Sequence, residues 1–279
     1  MPTASERLIH STARISCFDA YGRESSGTGF WFKFNVTPSG SFIPALVTNR
    51  HVIEGATKCI FHVTPNDRQT GRPLYGSHFA VELSNGEADC IIHPDPNVDL
   101  AIIPVGAQVN EWLSKELSPM ISFFGVEDII DDNLIGLLPP MVDVVMTGYP
   151  IGIWDSINNM PILRKGSSAT PYELNYEGRP EFVIDAACFP GSSGSPICLV
   201  IESGFLTVKG GIGIGGPHFK LIGVLYAGPQ FTAQGDLVVE DIPTSNKPIS
   251  LTRIPSNLGF CIKADQILQF ESMLSGGAN

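Results

Sequence analysis

Three short segments of this 279-residue chain carry a histidine, an aspartate and a group of serines, in that order. His51 lies in the segment VTNRHV, Asp99 in NVDLAI and Ser193 in FPGSSGSP. A serine hydroxyl is a poor nucleophile at neutral pH, and it becomes an effective one when an imidazole takes its proton and a carboxylate holds that imidazole. The three segments therefore contain the groups that acyl transfer requires: a nucleophile, a general base and an orienting carboxylate.

The serine segment offers three hydroxyl groups, on Ser192, Ser193 and Ser195. Its glycines permit the tight backbone turn that aims two amide hydrogens at the negative oxygen of a tetrahedral intermediate. In the frame Gly-x-Ser-Gly-x-Pro those two amides belong to Gly191 and Ser193, which predicts Ser193 as the nucleophile. The alternative is a serine-rich turn with no catalytic role.

The base and the carboxylate each have a competing interpretation. A single histidine among six is more often packed or solvated than catalytic, but His51 follows an apolar strand-like run, which favours a positioned base. Asp95 lies four residues before Asp99, and both could be exposed carboxylates of one turn. Asp99 is the better candidate because a run typical of a buried strand begins directly after it.

Composition and patterning predict an all-β protein. The chain has 29 Gly and 22 Pro, 43% hydrophobic residues and 16% charged residues, a mixture typical of many short strands joined by tight turns. In the first half we predict strands at 13–18, 28–34, 43–48, 57–64, 78–83, 88–93 and 100–105. In the second half we predict strands at 142–147, 162–167, 181–185, 196–202, 206–209, 220–226 and 259–262.

A connector with a different pattern separates the two sets of strands. It runs from 106 to 140, contains short helical patterns at 109–116 and 126–132, and ends at two consecutive prolines. We therefore predict an N-terminal domain over 1–138 and a C-terminal domain over 139–279. Apolar residues near helical spacing at 264–274 predict a closing amphipathic helix.

The charge and the cysteines restrict partners and compartment. The formal net charge of -11, with 17 Lys and Arg scattered singly, argues against binding to nucleic acid or to an anionic membrane. The first 16 residues lack the apolar stretch of a signal peptide, and no later run is long enough to span a bilayer, so we expect a cytoplasmic protein. The six cysteines lack the close spacing of metal sites or redox dithiols, so we expect free thiols and no metal.

Taken together, these segments resemble the trypsin-like, chymotrypsin-fold serine proteases, especially the bacterial branch related to the high-temperature-requirement proteases. The resemblance covers roughly residues 13 to 270, and it implies two antiparallel six-stranded β-barrels with the catalytic groups in the cleft between them. The segments that carry it are GTGF (27–30), TNRHV (48–52), DLA (99–101), the stretch 185–196, and GVLYAG (223–228).

The order of the three groups separates this family from other serine hydrolases. The nucleophile elbow of α/β-hydrolases needs Gly-x-Ser-x-Gly with the serine first in the chain, whereas here Ser195 stands where the last glycine should be. Subtilisin-like enzymes place the acid before the histidine, which contradicts a His51 and Asp99 pair. The chymotrypsin-like order remains.

The resemblance also implies a substrate-binding region. Ala187 falls at the floor of the primary specificity pocket, and the absence of an acid there argues against selectivity for Lys or Arg. Tyr226, Ala227 and Gly228 would form the edge strand that pairs with an extended substrate. The alternative is an ordinary core strand.

One departure from the family and one further expectation complete the comparison. Ser192 occupies the position where secreted digestive members carry an aspartate, which argues against classical zymogen activation. The same register puts Cys188 and Cys261 beside the specificity pocket, so we expect a bulky thiol reagent to lower activity.

The sequence thus predicts a serine endopeptidase that acts on polypeptides without a cofactor, while the oligomeric state stays open. A glycine run at 211–216 formally matches Gly-x-Gly-x-x-Gly, but strand-like segments flank it where a nucleotide site needs a following helix. Two alternatives to the endopeptidase stay open. One is a catalytically silent peptide-binding module, and the other is an esterase that uses the same residues.

Overall fold

The computed structural model describes residues 4–115, 118–201, 205–206, 212–213, 218–228, 230–236, 249–255 and 257–275. Strands dominate the described residues, as the sequence predicts. The N-terminal strands are β1 (Thr12–Phe18), β2 (Glu24–Phe34), β3 (Ile43–Thr48), β4 (Lys58–Val63), β5 (Phe79–Leu83), β6 (Ile91–Ile92) and β7 (Ala101–Pro104). The later strands are β8 (Asp143–Gly148), β9 (Ile162–Ser168), β10 (Glu181–Asp185), β11 (Pro196–Ile201), β12 (Phe205–Leu206), β13 (Ile212–Gly213), β14 (His218–Ala227), β15 (Gln230–Asp236), β16 (Ile249–Pro255) and β17 (Leu258–Lys263).

Short helices punctuate the strands. The α-helices are α1 (Ala4–Ile9), α2 (Arg50–Ile53), α3 (Gly106–Ser114), α4 (Asp132–Ile135) and α5 (Gln269–Ser275). Single 3-10 turns lie at Gly86–Asp89, Val126–Asp128, Pro150–Gly152, Tyr176–Gly178 and Ala264–Leu268. No helix in the described ranges has both the length and the apolar character needed to cross a bilayer.

The first seven strands form one sheet in the order β5-β4-β1-β2-β3-β7-β6, and this sheet does not close. The prediction of two six-stranded barrels is therefore not confirmed for the N-terminal half. The edge strand β6 is two residues long because a 3-10 turn at Gly86–Asp89 occupies the start of the predicted strand 88–93. Because β6 is so short, it offers few backbone groups for hydrogen bonds to β5, the strand at the opposite edge, and such bonds would be needed to close the sheet.

The second half contains a closed six-stranded barrel in the order β10-β17-β14-β11-β8-β9, which confirms a barrel there. A hairpin of β15 and β16 adds to this half, paired from Gln230 opposite Pro255 to Asp236 opposite Ile249, and the sequence analysis missed it. Of the glycine run at 211–216, Ile212–Gly213 pairs with Phe205–Leu206, and the rest lies outside the described residues. Most of the predicted strand 206–209 also lies outside them. The division at residue 138 stays a prediction.

One apolar cluster joins the sheet to the barrel. Phe30 on β2 packs edge-to-face on Phe124, with ring centroids 5.5 Å apart, and Phe124 stacks on Phe219 of β14 at 5.4 Å. The predicted C-terminal helix is present, and Phe270 of α5 is buried against Phe34 at the end of β2. Each such aromatic side chain contributes about 2 kcal/mol or more on burial, so this cluster holds the two halves together.

One histidine in the N-terminal sheet should make stability depend on pH. Burial lowers the pKa of His62 on β4 below its usual 6.5, and the nearby charges of His78 and Arg14 lower it further. Because the unfolded chain then binds the proton more tightly, the free energy of unfolding should fall as the pH drops from about 6.5 through the lower folded pKa. Urea unfolding between pH 7.5 and 5 measures this decline. The slope should be shallower in His62→Gln, and an equal slope in both proteins would contradict the assignment.

Candidate active site

His51 is carried by the short helix α2, which begins directly after β3. The helix is fixed because its residues Val52 and Ile53 are buried in the apolar core of the sheet. The buried pair leaves the histidine side chain facing solvent, with 43% of it exposed. The burial of Val52 and Ile53 thus holds α2 in place, and α2 presents an accessible imidazole.

Asp99 lies beside this imidazole. Its Oδ2 is 2.5 Å from Nδ1 of His51, and its Oδ1 accepts a hydrogen bond of 3.0 Å from the backbone N–H of His51. A carboxylate on Nδ1 selects the tautomer that carries its proton there, which leaves Nε2 as an acceptor. Asp95, the competing carboxylate, instead accepts hydrogen bonds within its own turn from the backbone and side chain of Asn97.

Two further residues hold the carboxylate segment in place. The side-chain amide of the buried Asn49 donates to the backbone carbonyl of Asp99 at 2.8 Å, and Arg50 donates to the carbonyl of Pro96 at 3.2 Å. Together with His51, three consecutive residues therefore bind the turn that ends at Asp99. The sequence analysis missed this role of Asn49, although a polar residue between an apolar strand and a candidate base is the signal that could have revealed it.

The three neighbouring serines differ in exposure. Ser192 is 1% exposed and Ser195 is 0% exposed, and the hydroxyl of each has no hydrogen-bond partner among the described residues. Ser193 is partly exposed, and its Oγ lies 3.5 Å from the carbonyl oxygen of Tyr226. Ser193 is therefore the serine of this segment that faces the surface cavity described below.

The turn around Ser193 leaves two amides without an acceptor among the described residues. The amides of Ser192, Gly194 and Ser195 donate to the carbonyls of Phe189, Leu225 and Ser192, respectively. Within the described parts of the chain, no acceptor is present for the amides of Gly191 and Ser193. Gly191 and Gly194 adopt φ values of +87° and +85°, a region that favours glycine and that produces this turn.

Thr28 of β2 connects the serine turn to the N-terminal sheet. Its backbone N–H donates to the carbonyl of Ser193 at 2.8 Å, and its Oγ1 donates to the carbonyl of Gly191 at 3.0 Å. On its other side, the carbonyl of Thr28 accepts from Oγ1 of Thr48, three residues before His51, at 2.8 Å. The buried Thr28 therefore connects the serine turn by hydrogen bonds to the end of β3, which leads to His51. Sequence reasoning missed it, and its only signal was the motif GTGF.

Replacing Gly194 should disrupt this contact. A Cβ atom there would overlap the carbonyl oxygen of Thr28 and lie 2.7 Å from Oγ1 of Thr48, and the positive φ adds backbone strain. Gly194→Ala should lower the free energy of unfolding by about 3 kcal/mol or more, and activity should fall with it. Gly22→Ala is the matched control, because Gly22 has a φ of +77° with open space around it. Equal losses in urea unfolding for the two variants would contradict the contact.

A cavity of about 260 Å³ lies beside Ser193. Its remaining lining comes from the serine turn and from the end of β14, and every lining side chain is uncharged: Cys188, Phe189, Pro190, Leu225, Tyr226, Ala227 and Gly228. The structure thus brings the predicted residues 226–228 to the cavity. The Tyr226 hydroxyl donates to the buried Glu181 carboxylate at 2.9 Å, which fixes the ring.

Ala187 and Cys261, which the sequence placed at the specificity pocket, do not line this cavity. Ala187 is not part of the cavity lining, and its carbonyl accepts a hydrogen bond from Arg164 of β9. Cys188 lines the cavity, whereas Cys261 is fully buried on β17 and does not. Burial raises the pKa of Cys188 to about 11, so this thiol is a weak nucleophile at neutral pH.

Among the residues that the structure describes, no three His, Cys, Asp or Glu side chains gather as a metal ion would require. The site supplies an imidazole held by a carboxylate, a hydroxyl at a cavity, and two amides that have no acceptor among the described residues. These are the parts of an acyl-transfer site.

Comparison with solved structures identifies the fold. The chain superposes on the serine endoprotease from Yersinia pestis with a TM-score of 0.50 and 17% identity, over 99% of this chain and 69% of that one. The fold is that of a serine endoprotease. The resemblance to trypsin-like serine proteases is thus confirmed at the level of the fold.

Two more structures extend the comparison. The HtrA-type protease AlgW with tripeptide gives a TM-score of 0.48 at 16% identity, over 99% of this chain and 65% of that one. The Rv3671c protease from M. tuberculosis, in its active form, gives 0.44 at 14% identity, over 95% and 80%. The chain therefore spans less than two thirds of the length of AlgW. No family model matches this chain, and no curated protein matches its sequence.

Proposed function

We propose that this protein is a serine endopeptidase in which Ser193 is the nucleophile, His51 the general base and Asp99 the carboxylate that orients it. The observation that carries the proposal is the pair of hydrogen bonds from His51 to Asp99, through Nδ1 and the backbone N–H. They fix an accessible imidazole with Nε2 free to accept a proton. The serine endoprotease fold supports the same assignment.

The proposed reaction uses each group in turn. Nε2 of His51 takes the hydroxyl proton as Ser193 Oγ attacks the scissile carbonyl, and the amides of Gly191 and Ser193 bind the oxygen that becomes negative. The imidazolium then gives its proton to the leaving amine, which yields an acyl-enzyme on Ser193. A water molecule, deprotonated by the same imidazole, hydrolyses that ester and restores the serine.

The cavity favours substrates with an uncharged side chain before the scissile bond. Its lining carries no charged group, so a Lys or Arg side chain would lose its hydration without gaining a partner. The backbone of residues 226–228 lies at the cavity and can pair with an extended peptide. We therefore propose that polypeptides with a small or medium apolar residue at that position are the substrates.

One observation favours a second candidate, a protease-fold module that binds peptides without cleaving them. The hydroxyl of Ser193 lies near the carbonyl of Tyr226, and among the described contacts no hydrogen bond joins it to His51. Catalytic hydrogen bonds are often long without substrate and tighten when substrate binds, so this geometry is compatible with an enzyme too.

A digest of a peptide library distinguishes these functions. Wild type should cleave internal bonds after uncharged residues, and Ser193→Ala should leave the library intact while retaining the folded circular dichroism spectrum. Hydrolysis of p-nitrophenyl esters without cleavage of any peptide would indicate the esterase. Binding of peptides by both proteins with no cleavage by either would indicate the silent module.

A further inference from the structure

Two cysteines face each other across neighbouring strands of the N-terminal sheet. Cys17 on β1 is directly opposite Cys59 on β4 in the antiparallel register, and their sulfur atoms are 3.2 Å apart. Both side chains are buried, with exposures of 1% and 0%. The sequence predicted free thiols because the six cysteines lack close spacing and no signal peptide was found. Cys17 and Cys59 are 42 residues apart, and the strand pairing brings them together.

The backbone geometry suits a covalent bond between them. Residues directly opposite on antiparallel strands have Cα atoms about 4.5–5.5 Å apart, within the range of about 4.4–6.8 Å that disulfides require. The sulfurs therefore need to approach by about 1 Å to reach the bonded distance of about 2.05 Å, and side-chain rotation supplies this. The strands need not move.

The other cysteines lack this arrangement. Cys90 is partly exposed and donates its thiol hydrogen to the carbonyl of Gly86 at 3.3 Å. Cys198 and Cys261 are buried in the barrel, and Cys188 lines the cavity beside Ser193. Among the described contacts, the sulfur-to-sulfur contact belongs to Cys17 and Cys59.

We propose that Cys17 and Cys59 form a reversible disulfide that ties β1 to β4. The oxidant is a low-molecular-weight disulfide such as oxidised glutathione. The Cys59 thiolate attacks one sulfur of the oxidant and expels a glutathione thiolate, which leaves a mixed disulfide. Cys17 then loses its proton and attacks Cys59 Sγ, and the second glutathione leaves. Two protein thiols are oxidised, one oxidant disulfide is reduced, and the two released protons end on glutathione.

The contact between the two thiols favours the second step, because strand pairing brings Cys17 Sγ to 3.2 Å from Cys59 Sγ, the atom that it attacks. Either sulfur can be the donor in this contact, so the same two steps also balance with the two cysteines exchanged. Because both sulfurs are covered in the folded sheet, the exchange takes place as β1 and β4 pair during folding or when they open locally.

The bond would close a loop that contains the base. The stretch 17–59 includes β2, β3 and His51, and the two cysteines belong to the same apolar cluster as Val52 and Ile53 of α2. A cross-link over a loop of this length restricts the unfolded chain, so oxidation should raise the Tm by roughly 5–15 °C. The proposal does not depend on catalysis.

Refolding in a glutathione buffer tests the bond directly. Wild type is diluted from urea into reduced and oxidised glutathione, its free thiols are blocked with iodoacetamide, and tryptic peptides are mapped by mass spectrometry. We expect a cross-linked peptide that joins Cys17 to Cys59, four blocked cysteines, the higher Tm, and loss of both effects in dithiothreitol. Complete blocking of all six cysteines, or a cross-link that uses Cys90, would overturn the proposal.

Two variants check that the Tm shift comes from this pair. Cys17→Ala should show no shift between oxidised and reduced buffer, whereas Cys198→Ala, a buried cysteine outside the pair, should keep the shift of wild type. If oxidation still raised the Tm of Cys17→Ala, the increase would come from other thiols. The peptide map of wild type decides the question even if a variant folds poorly.

Discussion

Ser193→Ala should lower kcat for peptide hydrolysis by roughly 10⁴ to 10⁶-fold, because it removes the atom that forms the acyl-enzyme. The fold should persist, since the side chain of Ser193 is partly exposed and its one hydrogen bond among the described contacts is the long one to the carbonyl of Tyr226. Initial rates on a fluorogenic peptide selected from the library digest measure the loss. Peptide binding should remain, because the cavity keeps its other lining residues.

The neighbouring serines provide matched controls for this prediction. Ser192→Ala and Ser195→Ala each remove a buried hydroxyl that has no partner among the described residues. Removing an unpaired buried polar group costs little stability and can even be favourable, so both variants should keep activity within a few-fold of wild type. If Ser192→Ala were inactive and Ser193→Ala still active, Ser192 would be the nucleophile and the assignment of Ser193 would be refuted.

Asp99→Asn should lower kcat by roughly 10⁴-fold while leaving the structure intact. The asparagine keeps an oxygen for the His51 backbone N–H, and the hydrogen bond from Asn49 goes to the backbone carbonyl, which does not change. What changes is the partner of Nδ1. An amide in place of Oδ2 removes the carboxylate that stabilises the imidazolium, and its NH₂ favours the tautomer with no acceptor at Nε2.

Asp95→Asn is the control for the second prediction. Asp95 precedes Asp99 by four residues, but its carboxylate accepts hydrogen bonds from Asn97 within the turn. The variant should change kcat by less than a few-fold. Activity close to that of wild type in both Asp95→Asn and Asp99→Asn, on the same fluorogenic peptide, would show that neither carboxylate acts on the imidazole.

Sequence could predict those parts of the site that lie within short segments. The choice of Asp99 over Asp95 rested on the apolar strand that follows it and on its match to the family pattern, and in the structure Asp99 is hydrogen-bonded to His51. The glycine frame around Ser193 likewise predicted two free amides, because the positive φ of Gly191 and Gly194 is a local property of the turn. The roles of Ser193, His51 and Asp99 in catalysis stay predictions.

Sequence could not predict the contacts that depend on tertiary structure. Thr28 and Asn49 position the site through hydrogen bonds to residues 165 and 50 positions away, which no local pattern encodes. The failure of the N-terminal sheet to close depends on a 3-10 turn within a run that reads as strand. The register that put Ala187 at the pocket floor was carried over from a family, and in this chain Ala187 is not among the residues that line the cavity beside Ser193.

The central claim is that His51 and Asp99 activate one particular serine, and labelling with a fluorophosphonate tests it most directly. Folded wild type is treated with the probe, digested, and mapped by mass spectrometry, beside Asp99→Asn and Ser193→Ala. We expect modification at Ser193 in wild type, much slower modification in Asp99→Asn and none in Ser193→Ala. Modification of a different residue, or an unmodified and correctly folded wild type, would contradict it.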